Sequence, residues 1–263
     1  MRLTIVGPGR AGGAVALAAG RSGHQIAGVL SRSADTTYGP ALSWDDPLPD
    51  SDLLLIAVRD DAIEEVAARL ATVAASIPVA AHVSGFTPVT ALDELARVGV
   101  ATGGFHPLQT LPDPERGAAA LAGAYVGIGG NPQAVETLSE LAVSLGLTPF
   151  SLLDESRPGY HAGAAAAANF VITALATAGD LMQNAHVDPV VTRPLVEQAM
   201  ANLYETDPDS ALTGPIARGD VSTVIGQLAA ARRVSEGVGE QYRLMAEATA
   251  IRADRKGDID RWR

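Results

Sequence analysis

Cysteine is absent from the 263 residues, which excludes thiol catalysis, disulfides and cysteine-ligated metal, and fits a reducing compartment. Lysine is almost absent: Lys256 stands alone against eighteen arginines, so lysine-based proton transfer has almost no residue to draw on. Positive charge is in short supply overall. Nineteen Lys and Arg face thirty Asp and Glu, a formal charge of −11, which repels nucleic acid and anionic membranes and leaves no basic stripe. No apolar leader segment precedes the first strand, and no run of about 18 apolar residues is evident, so secretion and membrane spanning are not expected and the cytoplasm is the default. No low-complexity tail or internal repeat is present. What remains is 47% hydrophobic and 19% charged, long enough for one large or two modest domains with a proper core.

Ile5-Val6-Gly7-Pro8-Gly9-Arg10-Ala11-Gly12 is a G-x-G-x-x-G placed where a first strand, Arg2 to Val6, hands over to a small-residue helix. That context predicts a dinucleotide site. Gly7 permits the tight turn, Gly9 lets the main chain approach a pyrophosphate, and Gly12 lets the helix pack closely, while the helix N-terminus offers N–H groups to the phosphates. Pro8, Arg10 and Ala11 complete the loop.

The second strand, Gln25 to Leu30, is followed by Ser31-Arg32-Ser33. A site for NAD usually offers a carboxylate there to hold the ribose 2′-hydroxyl, whereas an arginine between two hydroxyls suits a 2′-phosphate. NADP(H) is therefore the expected cofactor. Two readings stay open beside it: Arg32 as a solvated loop residue, and Asp35 as a late-placed ribose ligand.

Strands and helices then alternate. Strands are expected at Asp52–Val58, Pro78–Val83, Val100–Phe105, Ala124–Ile128 and Leu147–Leu152, with helices at Asp61–Ala75, at about Pro88–Val98 and from Asn131-Pro132, where Asn caps and Pro opens the first turn. This pattern predicts an α/β fold, an N-terminal doubly wound Rossmann-type parallel sheet, with room for one antiparallel edge. Beyond Asp154 the strand signal stops. Ala-rich helices run from about Gly159 to Asn184, Pro189 to Tyr204 and Ser222 to Arg252, so an all-helical C-terminal domain follows. The boundary falls in the polar, proline-bearing stretch Asp154–Pro158, giving a dinucleotide-binding domain over 1–153 and a helical domain over 154–263.

His161 and Asn169 bracket the alanines of the first long helix, eight residues and about two turns apart. A small-residue surface between them leaves room for a nicotinamide ring or a small substrate; capping and packing is the competing account.

Gly103-Gly104-Phe105-His106-Pro107-Leu108-Gln109-Thr110, Tyr160-His161 with Asn169-Phe170, and Leu212-Thr213-Gly214-Pro215-Ile216-Ala217-Arg218-Gly219-Asp220 together resemble a little-characterised family. Its members join a Rossmann-like NADP-binding domain to a helical domain of unknown function. The family is similar to the larger group whose helical domains resemble that of 6-phosphogluconate dehydrogenase, with relatives including ketopantoate reductase, 3-hydroxyisobutyrate dehydrogenase, pyrroline-5-carboxylate reductase and prephenate dehydrogenase. The resemblance implies hydride transfer involving a small carbonyl, imine or alcohol between the two domains, and a homodimer built through the helical domain.

One departure shapes the chemistry. Hydroxyacid dehydrogenases of that group place a lysine four residues before the asparagine that Asn169 matches, and here that position is Ala165. A histidine is then the natural proton donor near neutral pH, and His106 and His161 are the candidates, each open to a plainer loop or capping role. His106-Pro107 at a strand end resembles the prephenate dehydrogenases. His24, His82 and His186 have no comparable context. Arg218, between the turns set by Gly214-Pro215 and Gly219-Asp220, is the candidate fork for a substrate carboxylate, with an ion pair to Asp220 as the alternative. Thr213 adds a hydroxyl, Gln109 and Thr110 are placed to orient His106, and Ser84-Gly85 and Val58-Arg59, at strand ends, are placed beside the cofactor.

The expected function is an NADPH-dependent reductase of a small oxo acid, 2-dehydropantoate being the compound to try first. In it, His106 or His161 supplies the proton, Asn169 holds the carbonyl oxygen and Arg218 the carboxylate. The alternatives are an NADP(H)-binding sensor or scaffold without turnover, and an imine reductase of the pyrroline-5-carboxylate reductase type.

Overall fold

Leu53-Leu54-Leu55-Ile56 shows how the N-terminal part is built. Leu53 and Leu55 belong to one buried cluster and Leu54 and Ile56 to a second, because successive side chains of a strand point to opposite faces and a sheet covered on both sides needs apolar residues on both. The computed structural model describes residues 1–32 and 37–262; Ser33 and Asp35, both weighed above as ribose or phosphate ligands, lie outside the described residues.

Eight strands form one sheet: β1 (Arg2–Val6), β2 (Gln25–Leu30), β3 (Ala41–Leu42), β4 (Leu53–Ile56), β5 (Val79–His82), β6 (Ala101–Leu108), β7 (Tyr125–Gly130) and β8 (Thr148–Ser151). Their order is β3-β2-β1-β4-β5-β6-β7-β8. The sequence direction of neighbours reverses at β1, so the glycine-rich loop leaves the sheet at the topological switch point where ligands bind in such folds. Helices α1 (Arg10–Arg21), α2 (Ile63–Ala71), α3 (Asp93–Arg97), α4 (Pro114–Leu121), α5 (Pro132–Ser144) and α6 (Arg157–Ala165) accompany it.

Two details differ from the sequence expectation. The antiparallel pairing is internal: β6 runs antiparallel to β7, and β7 parallel to β8. With β7 as partner, β6 continues through Leu108, whereas its parallel neighbour β5 ends opposite Gly104. His106 therefore lies within a strand, past the carboxyl end of β5, and not just after a strand. The two-residue β3 and the short α4, capped by Asp113 Oδ1 accepting from Arg116 N at 2.9 Å, were also absent from the sequence reading, being too short to show a period. Asn131 caps α5 as expected, Oδ1 accepting from Gln133 N at 2.9 Å.

The chain divides into two compact units, Met1–Ala165 and Ala166–Arg263. A π-helical turn, Ala166–Phe170, opens the second where a regular α-helix was expected. It is followed by α7 (Val171–Asn184), α8 (Arg193–Glu205), α9 (Pro208–Ala211), α10 (Pro215–Arg218), α11 (Val221–Val234) and α12 (Glu236–Arg252). The small core of this unit gathers Val224, Leu228, Ala246, Ala250 and Trp262. The helical stretch Asp154–Asn184, 31 residues long with mean hydropathy 1.4 in its most apolar window, meets the length and composition for crossing a membrane. This corrects the expectation that no such stretch exists; the index is carried largely by alanine.

Gly12 seats α1 on the sheet: a Cβ there would collide with the carbonyl of Gly7 and stand 2.9 Å from Ala57 Cβ. Gly12→Val is expected to lower stability by roughly 1–3 kcal/mol or more, as overpacking does, read as a drop in the denaturation midpoint, while Gly9→Ala, where a Cβ meets open space, leaves it nearly unchanged.

Candidate active site

The glycine loop divides its labour. Gly7 sits at φ +88° with its N–H donating to Leu30 O at 2.8 Å, and any Cβ would come 2.7 Å from Ala57 O. Gly7 and Gly12 thus serve close packing. Gly9 serves access: nothing lies within 4 Å of where its Cβ would be, and as N-cap of α1 it supplies no side-chain hydrogen bond to the first turn. The unpartnered N–H groups of a helix start, left open beside a residue without a side chain, fit a diphosphate. Pro8 and Ala11 are half-buried and Arg10 is exposed at the same loop.

Ser31 and Arg32 follow β2, Arg32 exposed, and no carboxylate follows that strand among the residues described up to Arg32. These residues fit a dinucleotide carrying an extra phosphate. Val58 is half-buried near Gly7, and Arg59 is exposed and paired with Asp61, Nε donating to Oδ1 at 3.0 Å.

A second cluster gathers at the carboxyl edge of β5 and along β6, all within the first unit. His106 Nδ1 and Tyr160 Oη are 2.6 Å apart, with the rings edge to face at 90°. The His161 ring lies 6.2 Å from that of His106 and 6.0 Å from Phe86. Gly85 makes this possible: a Cβ there would stand 2.8 Å from the imidazole. The two candidate histidines are thus brought together, one from a strand and one from α6.

Arg157 lies beneath them, with no exposed surface. Its Nε donates to Asp154 Oδ1 at 2.7 Å and its Nη1 to the carbonyl of Ser84 at 3.0 Å, while Nη2 is buried without a hydrogen-bond partner among the described residues. Asp154 in turn accepts from Val89 N, at 2.9 and 3.0 Å to its two oxygens. Gly104 makes room, since a side chain there would collide with the guanidinium. His82, fully buried, accepts from Ser84 N at 3.2 Å through Nδ1.

Burial first, then Arg157, pushes the His82 imidazolium down to about 4. Burial first, then His161 and Arg157, does the same for His106, also to about 4. Burial pushes the Tyr160 phenol up to about 12, against the opposing pull of Arg157. At neutral pH both histidines are neutral and the phenol keeps its proton.

Several expected roles change. Gln109 does not orient His106: it is exposed, donates to Ala120 O at 3.3 Å and accepts from Thr110 N at 2.8 Å, because alternation along β6 and the turn after it carry it toward α4. Tyr160 holds the imidazole instead. The Ser84 hydroxyl is committed to its own turn, accepting from Phe86 N and Thr87 N at 3.1 and 2.9 Å.

Asn169 is exposed in the π-helical turn of the second unit. Thr213, just before Gly214 at φ +96°, and Arg218, just before Gly219 at φ +73°, are exposed there too. Asp220 caps α11 through Thr223 instead of forming an ion pair with Arg218, which makes none among the described residues. Sequence reasoning missed Asp154, Arg157, Tyr160 and His82 as site residues. The D-x-x-R spacing at a helix start was the available signal, read there as a polar boundary.

Residues 124–249 match the family model described as "Domain of unknown function (DUF2520)". A comparison with curated proteins found no match. Among solved structures, the chain is similar to a Bacteroides fragilis protein described provisionally as an NADP oxidoreductase (TM-score 0.80, 20% identity, 95% of this chain and 98% of that one). It is also similar to a Streptomyces aurantiacus imine reductase (0.71, 16%, 99% and 99%) and to Plasmodium falciparum pyrroline carboxylate reductase with NADP bound (0.64, 12%, 96% and 98%). These likenesses establish the fold: a Rossmann-type unit joined to a helical one.

His82 and His106 have folded-state values below the ordinary 6.5, so between about 6.5 and 4 the unfolded chain binds more protons. Their contribution is complete above about 6.5 and is lost as pH falls toward 4. Urea-denaturation midpoints are expected to drop across that window, and His106→Gln to flatten part of the slope; an unchanged slope would contradict the burial of a neutral His106.

Proposed function

We propose that this chain is an NADPH-dependent reductase of a small oxo acid, and the observation that carries the reading is the pairing of an open phosphate cradle at Gly9 with a histidine–tyrosine cluster along the same sheet edge. NADPH, held by the Gly7–Gly12 loop and by Arg32 after β2, supplies the hydride. The chain's own residues do the rest. His106, Tyr160 and His161 carry the proton needed by the oxygen of the reduced carbonyl. Gly85 lets the imidazole pack against the backbone, and Arg157, buried and positive, favours developing negative charge over the cation of an iminium substrate. That last point supports a carbonyl over an imine, although two of the structures named above are described as acting on imines or a pyrroline acid. Asn169 is assigned to the carbonyl oxygen and Arg218, exposed and unpaired, to the carboxylate, with Thr213 beside it. 2-Dehydropantoate is the first compound to test.

A sensor or scaffold without turnover is the second reading, favoured by Ala165 standing where the lysine of hydroxyacid dehydrogenases would be. One experiment separates the readings. NADPH and NADH binding is followed by fluorescence, and then small oxo acids and cyclic imines are added. Tight NADPH binding and oxidation by an oxo acid is the expected result. Binding without turnover across the panel supports the sensor, oxidation by imines alone supports the imine reductase, and a preference for NADH contradicts the role given to Arg32. In the active case Arg218→Ala is expected to raise KM for the acid by about 10- to 100-fold, the order of a lost charge-assisted pair, with NADPH affinity unchanged.

The partner in this reading is a second copy of the chain, associating through the helical unit in the cytoplasm. Helix α8 buries none of its residues, α7 buries only Thr177, and Phe170, Ile172, Val190, Leu195 and Tyr204 are exposed by 57% or more. A 13-residue helix without a packed face is marginal by itself. Sedimentation is expected to give a dimer, and Leu195→Asp to shift it toward monomer at micromolar concentration; a monomeric wild type would refute this.

A further inference from the structure

Resting on the reductase reading above, we propose that Tyr160 is the terminal proton donor and that His106 passes the proton on by exchanging tautomers, never becoming an imidazolium.

The geometry sets the direction. Tyr160 Oη and His106 Nδ1 are 2.6 Å apart with the rings perpendicular, and in this relay the phenol O–H donates to Nδ1. A neutral imidazole accepting at Nδ1 carries its proton on Nε2. Nε2 has no hydrogen-bond partner among the described residues and, unlike His82 Nε2, is not sealed from solvent. It lies over Gly85, where a Cβ would come 2.8 Å from it. Gly85 thus lets the backbone pass across the ring face, and the in-plane Nε2–H is the one donor of the pair not taken up within it.

The charged and titratable neighbours agree. Arg157, from the start of α6, lowers the protonation of both His106 and His82, while pulling the phenol of Tyr160 toward ionisation. Asp154, the remaining charge of the cluster, is spent on Arg157 and Val89 N. His161 is the other titratable neighbour, and its ring also disfavours a positive charge on His106. A buried cation beside the pair opposes an imidazolium on His106 and favours a tyrosinate on Tyr160.

The transfer balances without a further reagent. The oxyanion on the reduced carbon takes the Nε2 proton, forming the hydroxyl O–H as the N–H bond breaks. In the same event Nδ1 takes the phenol proton. The products are the alcohol, neutral His106 in its other tautomer, and the Tyr160 phenolate. Water reprotonates the phenolate, and the return of the tautomer resets the pair. An alkoxide is far more basic than a phenolate, so the transfer runs downhill.

Two measurements test this. The first is long-range ¹H–¹⁵N NMR of His106 in the cofactor-free protein at neutral pH, expected to show the Nε2–H tautomer, with Tyr160→Phe mixing the two tautomers. The second is turnover: Tyr160→Phe is expected to reduce kcat by about 10²- to 10⁴-fold, the usual contribution of a general acid, with NADPH affinity unchanged and the curved proton inventory in H₂O/D₂O mixtures becoming linear. An Nδ1–H tautomer, a His106 imidazolium at pH 7, or a Tyr160→Phe enzyme within about twofold of wild type while His161→Gln takes the loss, would overturn the relay. A wild type that binds NADPH and reduces no carbonyl would instead overturn the reductase reading on which the relay rests.

Discussion

The buried guanidinium of Arg157 is the constraint on which the site depends. It ties the start of α6 to the carbonyl after β5 through Ser84, and to the backbone near Val89 through Asp154. It fits only because Gly104 has no side chain. Such a charge is tolerated because it is paired and hydrogen-bonded, and removing its partner typically costs about 3–5 kcal/mol. Its Nη2 nonetheless has no hydrogen-bond partner among the described residues. That residual penalty stands beside an evident use: the cation fixes the loop carrying Gly85 and biases His82 and His106 toward their neutral form and Tyr160 toward its negative one.

The same economy of backbone space recurs in the glycine loop. Gly7 and Gly12 are occupied by packing, which brings the helix close to the sheet, and only Gly9 is free to receive a ligand. Close packing of small residues thus does two jobs. It sets α1 at the sheet edge with its first-turn N–H groups unobstructed, and in β6 it admits an arginine where a Cβ would exclude it.

The helical unit follows a different logic. Its core is small, five buried residues around the α11–α12 hairpin, and much of its apolar surface lies on α7 and α8. The exposed positions of Arg218, Thr213 and Asn169 leave them available to a ligand, whereas the residues of the first unit's cluster are already held by one another. Preorganised groups suit proton handling; exposed groups suit recognition.

The sequence by itself determined the local rules. Continuous apolar runs dictated buried strands, the placement of Gly7, Gly9 and Gly12 dictated the cradle, Asn131-Pro132 dictated a helix start, and the loss of strand pattern after Asp154 marked the helical half. Each of these depends on residues near one another in the chain. The tertiary structure alone decided what depends on long-range pairing. Antiparallel β7 carries β6 past β5 and so places His106 within a strand. Tyr160 meets His106 across 54 residues, and Arg157, in a segment that reads as a polar boundary, becomes the buried charge because Gly104 and Ser84 happen to face it. Gln109 adjoins the histidine in sequence but turns to α4, because neighbours in a strand point apart while residues distant in the chain share a face.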